Sequence, residues 1–392
     1  MSQTTTTLAD TLDAILANAV SSGQVPGIVA TMGDGDGVLY EGAFGVRKVG
    51  EDAAMTTDTV VWIASMTKAI TSAAAMQLVE QGKLSLDADI GEVLPYLAKP
   101  QVLEGWNADG TPQLRPANGP ITLRHLLTHT SGHAYNMWNA DCGRYEEHVG
   151  SPGIISCQSV ALELPLMTDP GTRWEYGIGI DWAGRAVEAV SGVKLDRYLQ
   201  DNFFTPLQMN DTGFSLDPTR VARQAAVHAR TPEGLAPIEF GLPAEPEFHM
   251  GGGGLLSTVG DYLRFLRMIL GNGTLDGVKV LEPATVALMG QNHIGDLEMG
   301  FMGSAMPAFT NDVNLFPGIV KRWGLSFMIN ETDAPTGRKA GSLAWAGLAN
   351  SYYWVDPTSG VAGVLATQIL PFADAAVLEV LTAFETAVYA NR

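Results

Sequence analysis

Cysteine is scarce in this chain: Cys142 and Cys157 are the only two among 392 residues. They form no Cys-x-x-Cys pair, so neither a disulfide-rich scaffold nor a thiolate zinc site is expected. Free thiols in a reducing compartment fit best, and a single disulfide stays open. Charge is also scarce, at 17% of residues, and it is one-sided: 23 Lys and Arg stand against 42 Asp and Glu, a formal charge of −19. A field of that sign repels phosphate backbones, which argues against nucleic acid as a partner. No apolar run reaches the roughly 18 residues of a membrane span. The opening stretch MSQTTTTLADTLDAILANAV has neither a basic start nor a continuous apolar segment, so an export signal is not expected and the cytoplasm is the expected location.

Apolar residues are plentiful at 46%, enough for a sizeable core, and 44 glycines with 21 prolines imply many turns. The length points to one large unit or two intimately joined ones. Leu8, Leu12, Ile15, Leu16 and Val20 recur at helical spacing and predict a helix over 8–22. Gly27–Met32 and Val38–Val46 read as a hairpin around the turn Gly33–Gly37. The far end mirrors this, with strands predicted over Trp323–Asn330, Ser342–Ala349, Tyr352–Asp356 and Val361–Ile369, then a helix over 374–390. Helices are expected over 65–81, 121–129, 181–190, 195–201 and 260–271, and 103–119 and 140–158 read as long polar loops at a pocket rim. The pattern predicts an α/β (α+β) chain. Residues 1–64 and 250–392 would form an antiparallel sheet domain flanked by helices, and 65–249 a mostly helical domain.

The chemistry starts at Ser65-Met66-Thr67-Lys68, which opens the helix-forming run Ala69–Gln81. Residues three apart share a helix face, so Ser65 and Lys68 would touch. Ser65 would sit at a helix N-terminus, where free N–H groups favour developing negative charge. A serine hydroxyl needs a base, and a lysine serves as one only when its pKa is depressed. The motif alone is weak. Ser191-Gly192-Val193-Lys194 has the same spacing, but its glycine belongs to a helix-ending turn. An ordinary helix start, with Ser65 as cap and Lys68 solvated, is the bland alternative.

Two further segments strengthen the sharper reading: Asp169-Pro170-Gly171-Thr172-Arg173-Trp174-Glu175-Tyr176-Gly177 and Leu343-Ala344-Trp345-Ala346-Gly347-Leu348. With Ser65-Met66-Thr67-Lys68 they resemble the three signature elements of the serine β-lactamase and penicillin-binding protein superfamily, in its class C β-lactamase-like branch and closest to the family VIII carboxylesterases. Leu126–Gly132 and Gly251–Thr258 are similar to further segments of that branch, and the resemblance runs from about Ile15 to the C-terminal helix. It implies a β-lactamase/transpeptidase-like fold, with Ser65 as acylated nucleophile and Lys68 and Tyr176 sharing its proton. It also implies an oxyanion hole from the backbone N–H groups of Ser65 and Leu348, Gly347 permitting close approach of the strand, and no cofactor or metal.

Two departures steer the substrate expectation. Trp345-Ala346-Gly347 replaces the Lys-Thr-Gly of penicillin-recognising enzymes, and Ile178 stands where those enzymes carry an asparagine. Both remove polar groups that hold a substrate carboxylate, which suits a neutral small-molecule ester. Trp345, Tyr135 and Trp138 are candidates to line the pocket, with core packing as the alternative for each. A carboxylesterase for short- to medium-chain esters, with acyl transfer open, is the leading expectation. A β-lactamase, a D-amino-acid amidase or peptidase, an acyltransferase of the statin-synthesis type and a non-catalytic penicillin-sensor-like module are the alternatives.

Other motifs carry less. His125, His129 and His133 are four apart, but Thr130-Ser131-Gly132 should end the helix and no His-Glu-x-x-His is present; packing and contact with the helix C-terminus are expected. The glycines at 251–254 lack the Lys-Ser/Thr of a phosphate loop, and no Gly-x-Ser-x-Gly elbow occurs.

Overall fold

A computed structural model describes residues 7–391. Met1–Thr6, part of the stretch read above as lacking an export signal, and Arg392 lie outside the described residues.

The first helix, α1 (Leu8–Ser21), begins with a capping box in which Thr7 and Asp10 satisfy each other's backbone N–H groups. Its buried residues Leu12, Leu16 and Ala19 face a central sheet. That sheet has seven strands, all paired antiparallel: β1 (Gly27–Gly33), β2 (Val38–Gly45), β3 (Lys321–Trp323), β4 (Met328–Asn330), β5 (Leu343–Gly347), β6 (Ser351–Asp356) and β7 (Val361–Ala366). The spatial order is β3-β4-β5-β6-β7-β1-β2, so the two ends of the chain meet where β7 pairs with β1.

Strands β5, β6 and β7 are buried throughout, because helices cover both faces. Alternation along β6 divides the faces: Tyr353 packs on Tyr262 and Phe327, whereas Trp354 packs on Phe384. Tyr262 belongs to α6 (Val259–Leu270) and Phe384 to α7 (Ala375–Ala390). Between the sheet-forming ends lie α2 (Thr67–Glu80), α3 (Leu123–Leu127), α4 (Ala140–Val149) and α5 (Gly179–Ser191). Helix α2 is buried on nearly every side, so its sequence shows almost no amphipathic stripe.

Three expectations need correction. The stretch 323–330 is not one strand: β3 and β4 pair with each other through a turn at Gly324–Phe327, with Ser326 at φ 79°. Strand β7 stops at Ala366, and Ile369–Leu370 leaves the sheet to pair in parallel with His228–Thr231. The two rim loops hold regular structure. Gln101–Trp106 and Pro112–Pro116 form a hairpin, and 140–149 is α4, capped by the Asn139 side chain and ended by Gly150 in the left-handed region. Cys142 and Cys157 are buried free thiols.

Candidate active site

Ser65 lies in a tight 3-10 turn, Ala64–Met66, that feeds directly into α2. Ala64 is held at φ 46°, a strained value for a residue with a side chain, so the turn is imposed by its surroundings. Those surroundings are specific: Met66 N–H donates to the Ile63 carbonyl, and the Tyr262 hydroxyl donates to the Met66 carbonyl at 2.9 Å. On the other side stands β5. A Cβ at Gly347 would lie 2.3 Å from the Ile63 carbonyl oxygen, so only glycine lets the strand approach this turn.

One turn further along the chain, Lys68 is 1% exposed. Its Nζ lies 3.1 Å from Ser65 Oγ, 3.0 Å from the Tyr135 hydroxyl and 2.5 Å from the Gly252 carbonyl oxygen. An ammonium donates three hydrogen bonds, which these partners accommodate; a neutral amine donates two and offers its lone pair to a third. Burial pulls the Lys68 pKa well below its ordinary 10.5, and the charge of Asp181 opposes that fall.

Asp181 is fully buried on α5. Its carboxylate accepts the Gly252 N–H at 2.8 Å and the Tyr135 hydroxyl at 3.4 Å. Burial pushes its pKa up, while Lys68 and these hydrogen bonds pull it down. Gly252 is in contact so close that a Cβ there would lie 2.4 Å from Asp181 Oδ2. Lysine and aspartate are thus joined through Tyr135 and the Gly252 peptide. The expectation for Tyr135 was pocket lining; the structure places its hydroxyl on the lysine as well.

Tyr176 is reached by a different route. Asp169 accepts both guanidinium amino groups of Arg115 at 2.8 Å and the Asn118 N–H at 2.8 Å, tying the turn before Tyr176 to the 101–116 hairpin. Glu175 N–H then donates to the His129 carbonyl, and the Tyr176 carbonyl accepts the Tyr135 N–H. The phenol is buried, and the Trp345 indole N–H donates to its oxygen at 2.9 Å. Burial pushes the Tyr176 pKa up; hydrogen bonding with Ser65 and Trp345 pulls the other way. Lys68 Nζ sits 4.8 Å from the Tyr176 ring centroid.

The space in front of Ser65 is about 30 Å³, lined by Trp62, Tyr135, Met137, Trp138, Ile154, Ile155, Met250, Gly252, Gly253 and Leu348. Of the residues proposed from sequence to contact substrate, Tyr135, Trp138 and Leu348 lie on this wall. Ile178 is buried at the start of α5 and does not line the space. Trp345 touches the site through Tyr176, and Gly347 through the Ile63–Ala64 backbone. The Trp138 indole N–H is buried without a partner among the described residues.

The histidines take structural places. His125 Nδ1 accepts the Thr122 N–H at 3.3 Å, capping the start of α3. The expectation put a histidine at the other end of this helix. With only five residues, α3 brings its third residue back to its own N-cap. His129 and His133 are buried and pushed toward their neutral forms by desolvation. Asp181 was missed. The available signal was a lone acid inside the apolar run Ile178-Gly179-Ile180-Asp181-Trp182-Ala183.

The chain is 34% identical to monacolin J acid methylbutanoyltransferase of Aspergillus terreus over 97% of its own length and 95% of that protein's. It is 33% identical to the lovastatin esterase of Penicillium rubens, covering 92% of this chain and 93% of the other. The structure of a simvastatin synthase mutant from Aspergillus terreus superposes with a TM-score of 0.84 at 31% identity, covering 98% of this chain and 95% of that one. The profile of the Beta-lactamase family matches residues 12–386, so the chain belongs to the beta-lactamase family and shares its serine-hydrolase fold.

Proposed function

We propose that the protein is a serine carboxylesterase acting on short- to medium-chain esters through an acyl-enzyme on Ser65. The observation that carries this reading is the 3.1 Å contact between Ser65 Oγ and a buried lysine whose pKa is depressed. In its neutral form Lys68 accepts the Ser65 proton as Oγ attacks the ester carbonyl. Two lysine N–H groups remain bonded to Tyr135 and Gly252, so the lone pair points to serine. The carbonyl oxygen becomes an oxyanion held by the N–H groups of Ser65 and Leu348, a device often contributing about 3 kcal/mol per donor. The proton passes to the departing alkoxide through Tyr176, whose hydroxyl accepts the Trp345 indole N–H and is oriented by it. Water then resolves the acyl-enzyme, or a second alcohol does so and the reaction is an acyl transfer.

Transfer is a full second reading, because one similar protein is named as a methylbutanoyltransferase and another as an esterase. Trp345-Ala346-Gly347 on the strand beside Ser65 disfavours a β-lactam or D-amino-acid peptide as substrate. The same reading includes a family VIII-type esterase, a cytoplasmic location and a division of the chain into a sheet domain (1–64 and 250–392) and a helical domain (65–249). The free buried thiols support the location. Among the described residues no helix is long and apolar enough to cross a membrane.

The test is a panel of p-nitrophenyl esters of increasing chain length, run beside a chromogenic cephalosporin and followed by mass spectrometry of fluorophosphonate-treated protein. Ester turnover with the label on Ser65, and at least a thousandfold loss in Ser65→Ala, is expected. Label on another residue, or full activity in Ser65→Ala, overturns the assignment.

A further inference from the structure

A second cavity lies behind β5, on the face of the sheet that α7 covers. It measures about 390 Å³, within the range of small-molecule sites and far larger than the space at Ser65. Met328, Ala344 and Tyr352 form its floor on the sheet, and Leu378 and Leu381 of α7 form one wall. The Asn314–Pro317 segment closes the opposite side, with Phe316 held at φ 49°. Lys321 Nζ donates to the Leu315 carbonyl at 2.8 Å and keeps that segment in place.

The cationic group of this lining, which also holds Asn314, Thr336, Thr382 and Glu385, is Arg338, whose side chain is 4% exposed. Its Nε and Nη2 bond the two oxygens of Glu385, which also accepts the Thr336 hydroxyl. The guanidinium stacks between the Phe316 and Trp354 rings, at 5.0 and 5.6 Å from their centroids. The third nitrogen, Nη1, has no hydrogen-bond partner among the described residues. This nitrogen is not among the fully buried polar atoms that lack a partner, so it keeps some exposure on a residue that lines the cavity and is free to donate to a ligand oxygen in place of water.

We propose that this cavity is a second binding site, for a neutral molecule with an apolar body and one carbonyl oxygen, such as a medium-chain ketone, lactone or ester. Apolar walls take the body, and the carbonyl oxygen accepts from Arg338 Nη1. A neutral ligand is specified because Glu385 already matches the arginine's charge. A carboxylate would bring a second negative charge to a lining that already holds Glu385, beside an arginine that Glu385 neutralises. The site is distinct from the Ser65 cavity yet in contact with it through Trp345, which borders this cavity and bonds Tyr176.

The experiment titrates 2-nonanone, which cannot be hydrolysed, into the full-length protein by calorimetry, with nonanoate at pH 8 as the charged control. Saturable 1:1 binding of the ketone is expected, with nonanoate at least tenfold weaker. Leu381→Trp fills the cavity from the half-buried side of α7 and should weaken the ketone at least tenfold while cooperative thermal unfolding is retained. Leu378→Trp serves the same purpose if the first variant does not fold. The double variant Arg338→Met/Glu385→Leu removes the donor without stranding a charge and should also cost about tenfold in affinity. Absence of saturable binding, equal affinity in the filled variant, or unchanged affinity in the double variant overturns the site. Nonanoate binding as tightly as the ketone overturns its assignment to neutral ligands.

Discussion

Two buried clusters that each join a basic and an acidic side chain lie on opposite faces of β5, and they are built in opposite ways. On the α7 face, Arg338 and Glu385 bond each other directly and in parallel, 3% and 1% exposed. On the other face, Lys68 and Asp181 are just as buried but are separated by the Tyr135 hydroxyl and the Gly252 peptide. A direct bidentate pair keeps both charges in place. An indirect pair leaves each partner partly uncompensated, so desolvation drives the lysine down and the aspartate up until a proton moves easily. The same two charge types thus give a structural clasp in one place and, on the proposed function, a poised base in the other.

The comparison can be broken at several points. Lys68→Met should remove the base and lower ester turnover by about 10³-fold, in the range general bases contribute, with a smaller loss of stability from the Gly252 carbonyl left without its donor, because Asp181, whose pKa burial already raises, can take up a proton when its countercharge goes. Steady-state kinetics beside a thermal melt separates the two effects. Arg338→Ala should do the reverse. It strands Glu385 in the interior and should cost about 3–5 kcal/mol of stability, read by denaturant unfolding, with turnover per folded molecule unchanged.

Smaller changes sharpen the contrast. Trp345→Phe deletes the N–H donated to Tyr176 and should lower kcat by about tenfold, the worth of one buried hydrogen bond, while moving the tyrosine's titration upward. Asp181→Asn should displace the acid limb of the kcat profile without abolishing it. The sign follows from the charges: Asp181 holds the Lys68 pKa up, so its neutralisation lets that pKa fall further. Lys68 then stays in its neutral, basic form to lower pH, and the limb moves to more acidic values. A limb that moves upward contradicts the assignment of Lys68 as the base.

Much of this arrangement was legible in the sequence, for identifiable reasons. The Ser65–Lys68 contact follows from helical spacing alone, and Tyr176 came from the resemblance of its segment. Tyr135 was legible as a neighbour of the site but not as a lysine partner, because 67 residues of chain separate the two. Asp181 was passed over because a single acid in an apolar helix has no motif; only the fold reveals that Gly252 and Tyr135 meet it. The β3–β4 turn was hidden because Gly324-Leu325-Ser326-Phe327 carries a single glycine between apolar flanks. The 101–116 hairpin was hidden because its second strand is largely exposed and polar, so no alternation marks it.

The approach of Gly347 to the Ile63 carbonyl has a consequence for how this enzyme could change its diet. The Ser65 turn and the strand beside it are wedged together by backbone atoms, so neither can shift to suit a bulkier ester. The opposite wall is made of side chains from connecting segments: Met137, Trp138, Ile154, Ile155 and Met250. New acyl groups must therefore be accommodated by resculpting those five positions, leaving the reacting atoms where they stand.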